Sequence, residues 1–238
     1  MRGRRTSNNA GFWTSSMPAL FPQRLRRLAA VSCFSLSPRL AAWLGLRFSL
    51  DSADRRFLEG PVFDFYNACY AARRPRARCL FIGLDRYNWH YHRLLQLDFH
   101  TLDIDPGRRR YGQPGRHRVG DATALRNLYA AGVFDLVIAN GLVGYGINDA
   151  ESFEKLLAGV VHVLRPGGRF LLGYNARPDC ASYPVAALLA RSALLPEHAP
   201  IEGMLGGGWL ADDASRHCYA LCRKPHASTG RPQGAQAV

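Results

Sequence analysis

Lysine is nearly absent from this chain. Lys155 and Lys224 are the only two among 31 Lys and Arg residues, so the basic side chains are almost all arginine. The skew reads as coding bias rather than selection for phosphate contacts, although arginine itself suits phosphate well. Acidic residues are missing from one region. Residues 1–50 hold Arg2, Arg4, Arg5, Arg24, Arg26, Arg27, Arg39 and Arg47 and no Asp or Glu, so +8 of the formal charge of +13 falls there. The surplus is mainly N-terminal and not spread over a domain face, which argues against a nucleic-acid partner. Long apolar runs are also scarce. The uncharged stretch Leu28–Pro38 is eleven residues and contains Ser and Pro, too short to cross a bilayer, so no transmembrane segment is expected. Cysteines with metal-ligand spacing are absent as well. Cys33, Cys69, Cys79, Cys180, Cys218 and Cys222 are scattered, which argues against a metal site and fits reduced thiols in a cytoplasmic protein.

The middle of the chain carries a repeated pattern of short apolar runs, each with a polar or acidic residue or a glycine where it ends and followed by a helical segment. The runs are Cys79–Gly83, Phe99–Asp103, Val119–Ala122, Phe134–Asn140 and Arg169–Asn175. Strands alternating with helices predict an α/β fold, a doubly wound, mostly parallel sheet with helices on both faces and ligands at the carboxyl ends of the strands. A further strand at about Arg216–Cys222 is expected to run antiparallel. Helices are expected over Gly60–Ala72, with Val62, Phe65, Tyr66 and Cys69 on the core face, and over Tyr87–Leu97, with Tyr87, Tyr91, Leu94 and Leu95 on one face. Residues 151–164 show the clearest helical stripe, with Asn148 and Glu151 spaced as a capping box. Arg165–Gly168 should then turn the chain, and Ser182 should cap a helix running to Leu195. The expected organisation is a basic leader or surface helix over 1–50, one α/β domain over 51–224, and a disordered tail over 225–238. The leader's composition also matches a targeting segment, or a surface helix over 18–31 that touches a membrane.

Five pieces of the pattern, in order, resemble the Rossmann-like class I S-adenosylmethionine-dependent methyltransferases. They are Leu80–Gly83, Thr101–Pro106, Gly120–Ala122, Phe134–Ile138 and Leu164–Phe170, within residues 60–224. The resemblance implies S-adenosyl-L-methionine as cofactor and a site made by Gly83, Asp85, Asp103, Ile104, Asp121, Ala122 and Asn140. It implies that Asp103 holds the ribose hydroxyls and that Asp121 contacts the adenine amino group. The residues support Asp103 independently, because it ends a second strand about twenty residues beyond the first turn. Asp105 is the rival, and Asp121 also reads as a capping acid ahead of Thr123. Asp135 begins a strand and reads as structural.

The family's first loop is rich in glycine, whereas this one reads Gly83-Leu84-Asp85-Arg86-Tyr87-Asn88-Trp89. Losing glycines harms a dinucleotide more than a phosphate-free donor, because pyrophosphate must approach bare backbone. Asp85 is a candidate for the donor's amino group, and Tyr87 or Trp89 for the wall around the sulfonium; the alternative is a helix cap and core aromatics. The acceptor should lie beyond the fourth strand, over Asn140–Gly146, where Tyr145, Asn148 and Tyr174 are nearby polar groups. That stretch lacks the Asn/Asp-Pro-Pro-Tyr pattern of methyltransferases acting on exocyclic or amide nitrogens, which leaves a small-molecule acceptor as the expectation. No residue stands out as a catalytic base. The alternative is a catalytically degenerate protein of this fold with a binding, regulatory or scaffold role.

Overall fold

The computed structural model describes residues 12–14, 31–44, 47–49 and 52–226. Most of the expected leader, including the surface helix over 18–31, and the tail from residue 227 lie outside the described residues. Strands β1 (Phe12–Thr14) and β2 (Arg47–Ser49) pair antiparallel as a separate two-stranded sheet. Helices α1 (31–36) and α2 (Pro38–Trp43) lie between them in sequence.

The main sheet has eight strands: β3 (Arg78–Ile82), β4 (Asp98–Asp103), β5 (His117–Val119), β6 (Phe134–Asn140), β7 (Leu164–Asn175), β8 (Leu195–Pro196), β9 (Gly208–Leu210) and β10 (His217–Arg223). Their order is β5-β4-β3-β6-β7-β10-β8, with β9 also paired to β10. The five strands from β5 to β7 are parallel, and β10 runs antiparallel to β7. The chain lays β4 and β5 on one side of β3 and β6 and β7 on the other, so the topological switch point falls between β3 and β6. That is where an open α/β sheet has room for a ligand.

Both faces of the sheet are covered, which is why its central strands are nearly continuous apolar runs. Leu80 and Ile82 of β3 and Val137 and Ala139 of β6 face α7 (Ala150–Val163), meeting Phe153, Leu156 and Val160. The alternate residues Cys79, Phe81, Leu136 and Ile138 face α3 (Ala53–Phe57) and α4 (Phe63–Tyr70), meeting Leu58, Phe63 and Tyr66.

Several elements differ from the expectations drawn from pattern alone. The N-terminal helical segment starts at Ala53, well before Gly60, and Pro61 sits inside a π-helical turn, Leu58–Val62, between α3 and α4. The wider turn shifts the buried face to Val62, Phe63, Tyr66 and Tyr70, leaving Cys69 exposed. The expected helix at Tyr87–Leu97 contracts to one turn, α5 (Tyr91–Leu94), with Leu94 facing solvent, because turns held by Asn88 occupy its first half. Asp149 caps α7, accepting from Ser152 N at 2.8 Å, whereas Asn148 accepts from Gly146 N in the preceding turn. Glu151 instead pairs with Lys155 one turn on. Helix α7 ends at Val163, just before Arg165–Gly168 as expected, but that stretch lies within β7, the register shifting between Phe134 and Leu136. Only Val185–Arg191 (α8) is helical after Ser182, whose hydroxyl bonds Asn148 O. Helix α6 (Leu125–Leu128) is a single turn packed against α7.

Candidate functional site

Gly83 opens the site. It follows β3 directly with φ of +95°, and a Cβ there would lie 2.8 Å from the carbonyl oxygen of Asn140. Both conditions demand glycine, so this position keeps the residue that the rest of the loop lacks. Asn88, almost fully buried, replaces the missing glycines as the loop's organiser. Its amide donates to Gly83 O at 3.0 Å, and its Oδ1 accepts from Asp85 N at 2.7 Å. The role of Asn88 is invisible in the sequence, because a loop asparagine gives no periodic signal.

Asp85 turns its carboxylate outward to Arg108, 2.7 Å away, and Arg108 also meets Asp105 at 3.2 Å. Asp105 caps the turn Pro106–Tyr111 through Gly107 N, so it is occupied structurally. Asp103 ends β4 half-buried, with Oδ1 accepting from Asp105 N at 2.9 Å. Burial pushes its carboxyl above the usual range, opposed by the Asp105 amide and the Arg108 charge. Ile104 beside it is 68% exposed. Asp121 caps the turn Ala122–Ala124 through Thr123 N at 2.8 Å and is solvent-exposed. Asn140 ends β6 and its Oδ1 is buried without a partner. Gly83, Asp103, Asp121 and Asn140 therefore lie at or just beyond the carboxyl ends of β3, β4, β5 and β6, on one edge of the sheet.

Trp89 does not face that edge. It is buried against Phe34 of α1, ring centroids 5.4 Å apart, with the Arg93 guanidinium 4.9 Å from its ring centroid. Tyr87 lies under Arg86 and Arg55, whose guanidinium carbons are 4.8 and 5.7 Å from its centroid. The core-aromatic alternative describes Trp89. His90 and His92 take separate partners, Glu59 and Trp89 O. Among the described residues no group of His, Cys, Asp or Glu is arranged to hold a metal. Asp135 is the structural acid that its place in the strand predicts: it clamps Arg73 at 3.0 Å, Arg165 at 2.8 Å and the Arg78 amide at 2.8 Å.

A second group of polar side chains borders the same edge and was not anticipated. β10 is antiparallel, so its first residues lie beside the last residues of β7: His217 pairs with Asn175, and Tyr219 with Gly173. His217 Nδ1 lies 2.8 Å from Asn175 Oδ1, while His217 Nε2, Tyr219 OH and Tyr91 OH are buried without partners. Gly173 makes the space: a Cβ there would lie 2.3 Å from Asn140 Oδ1 and 2.6 Å from Tyr219 Cε1. Arg55 of α3 closes over the group, its Nη1 bonding Tyr87 O at 2.5 Å and Glu59 at 3.3 Å. Burial pushes the His217 imidazole below its ordinary value, with Asp54 and Asp213 pulling the other way. The available signal was the antiparallel strand, which brings its start, not its end, to the ligand edge. Of the polar groups expected near the acceptor, Tyr145 is 68% exposed, Asn148 serves the turn before α7, and Tyr174 is buried and near Cys218.

Residues 82–172 match the family model described as a methyltransferase domain. No curated protein matches the chain in sequence. Among solved structures, the N-methyltransferase NodS from Bradyrhizobium japonicum WM9 is 17% identical with a TM-score of 0.53, covering 74% of this chain and 99% of its own. NodS in complex with S-adenosyl-L-homocysteine is 16% identical with a TM-score of 0.55, covering 74% of this chain and 90% of its own. The CurJ carbon methyltransferase is 15% identical with a TM-score of 0.53, covering 74% of this chain and 56% of its own. An N-methyltransferase and a carbon methyltransferase thus share this fold.

Proposed function

We propose that the chain is a class I S-adenosylmethionine-dependent methyltransferase with a small-molecule acceptor, methylated beneath α3 at the carboxyl edge of the sheet, a reading supported by the methyltransferase-domain match over residues 82–172. The observation that carries this reading is the convergence of Gly83, Asp103 and Asn140 with the His217–Tyr219 group around one switch point. The residues fit the donor. A half-buried carboxylate with one oxygen outside its internal hydrogen bond suits a ribose diol. The first loop has a single glycine and is not a phosphate cradle, which suits a phosphate-free molecule. When bound, S-adenosyl-L-methionine supplies an electrophilic methyl group on a sulfonium.

Asp103 would accept from the ribose hydroxyls, the second oxygen of Asp121 would take the adenine amino group, and Asp85 would take the donor's ammonium in exchange for Arg108. Gly83 and Asn88 would shape the loop beside the donor, and Ile104 and Ala122 would flank the base. On the acceptor side, Asn175 Oδ1 can only accept, so His217 carries its proton on Nδ1 and presents a lone pair at Nε2. With an acceptor in place, that lone pair would take the proton of a hydroxyl as its oxygen becomes methylated, or would first strip an ammonium to the free amine, whose own lone pair is then the nucleophile. Holding acceptor and methyl in line supplies much of the rate. The unpartnered Tyr91 and Tyr219 hydroxyls orient a small polar acceptor, and the burial of these groups suits a small molecule better than a polymer.

The test is calorimetric titration with S-adenosyl-L-homocysteine, followed by radiolabelled methyl transfer to a panel of small hydroxyl and amine acceptors. Asp103→Ala is expected to weaken the analogue at least tenfold, about 1.4 kcal/mol. His217→Gln is expected to leave that affinity unchanged and lower turnover. Unchanged affinity in a folded Asp103→Ala protein removes the ribose assignment. Binding without transfer to any acceptor favours the degenerate, binding-only reading, for which the Asp85–Arg108 pair across the first loop is the supporting observation.

A further inference from the structure

Two adjoining cavities of about 830 and 600 Å³ run along the β5 side of the sheet and under α2, the smaller reaching Trp89 of the first loop and Tyr111 of the turn after β4. The larger reaches the sheet edge opposite the carboxyl ends, since it includes Arg78 and Phe134, the first residues of β3 and β6. Arg39, Arg109, Arg110, Arg116 and Arg118 line it, and neither cavity is lined by any Asp or Glu. Asp98 neutralises part of this charge by pairing with Arg78 and Arg116. The Arg110 guanidinium bonds Ser35 O at 2.9 Å, tying α1 to the cavity wall.

The helices beside the cavities are apolar on two sides. Phe34 and Ala41 point inward and are fully buried, Phe34 stacking on Tyr111 at 6.0 Å and meeting Trp89. Leu36, Leu40, Trp43 and Leu44 point outward, 84, 48, 81 and 45% exposed. Their spacing places them in one stripe along α1 and α2, and Leu36 also lines the larger cavity. An exposed leucine and tryptophan stripe beside an acid-free arginine groove is the combination that seats a protein on an anionic bilayer. A nucleic acid would use the arginines and leave the leucines in water.

We propose that α1 and α2, with the arginine groove beside them, form a docking surface for an anionic lipid bilayer. The stripe enters the headgroup boundary and the groove takes lipid phosphates, to which guanidinium groups bond as paired donors. Gly83, Asp103, Asp121 and Asn140 line neither cavity, so docking would bring the enzyme to a membrane without occupying its proposed site.

The experiment is flotation of the purified full chain with vesicles of phosphatidylcholine alone or mixed with phosphatidylglycerol. Binding to the mixed vesicles and little to the neutral ones is expected. Trp43→Ala with Leu40→Ser should reduce partitioning on the order of tenfold, and Arg39→Gln with Arg109→Gln by a similar factor. Circular dichroism checks that each variant is folded, and S-adenosyl-L-homocysteine affinity should be unchanged in all of them. The proposal falls if the chain ignores mixed vesicles. It also falls if the stripe variant floats like the parent, if single-stranded RNA binds and depends on the arginines alone, or if the stripe variant converts a dimer to a monomer.

Discussion

Asp135 and Gly173 decide how single residues hold this sheet together. Asp135 is 1% exposed, yet it meets two guanidinium groups and a backbone amide at the amino end of β6. Burial pushes its carboxyl up while the Arg78 amide and the Arg73 charge pull it down. Removing it leaves arginines facing a buried gap, so Asp135→Ala is expected to destabilise by about 3 kcal/mol in urea unfolding. The affinity for S-adenosyl-L-homocysteine should change little in the folded fraction, because Asp135 lies at the far end of the strands. Gly173→Ala has a different signature. The new methyl meets the Tyr219 ring, itself packed against the stacked Trp209 and Phe57 rings, so overpacking of about 1–3 kcal/mol is expected. Here the donor analogue should also bind more weakly, because Asn140 Oδ1 must move. Asp135 was readable as a structural acid from its place at the start of a strand, and the position of Asp103 at the end of β4 was readable in the same way. Asn88, Arg55 and His217 were not, because their roles depend on neighbours 5, 32 and 42 residues away.

At the scale of elements, strands were more legible than helices. The apolar runs of β3, β4, β6 and β7 stand out because strands covered on both faces admit few polar residues. The short helices did not, since an apolar spacing is equally satisfied by turns with buried aromatics, as at Tyr87–Trp89. Strand β9 escaped notice because three residues carry no period. The start of α7 shows how closely two readings compete. Asn148 and Asp149 are adjacent and both able to cap, but Asp149 has the extended backbone, with φ of −142° and ψ of 165°, and carries the bond to Ser152 N. Asp149→Ala is therefore expected to lower the midpoint of thermal unfolding, and Asn148→Ala to lower it less. Equal shifts would mean that the turn before the helix matters as much as its cap.

The whole molecule responds to acid through histidines distributed over the sheet and its flanks. Burial pushes His92, His100, His117 and His217 below the ordinary value of 6.5. As pH falls through 6.5, the unfolded chain takes up these protons before the folded one does. Stability is then present above that pH and lost progressively down to the lowered folded values. Asp103 and Asp135 act with the opposite sign, since their raised folded values favour the folded state as pH falls, but from a base of 3.8. The histidines therefore govern the mildly acidic range. The topology ties this loss to the proposed site, because His217 sits at the carboxyl edge of the parallel strands, on β10 beside β7. The thermal midpoint is expected to fall between about pH 7 and pH 5. His217→Gln should flatten part of that slope while His92, His100 and His117 retain the rest. A midpoint that stays level across the range, or a slope untouched by the substitution, would mean that His217 can be protonated in place, and its role as a neutral proton acceptor would fall with it.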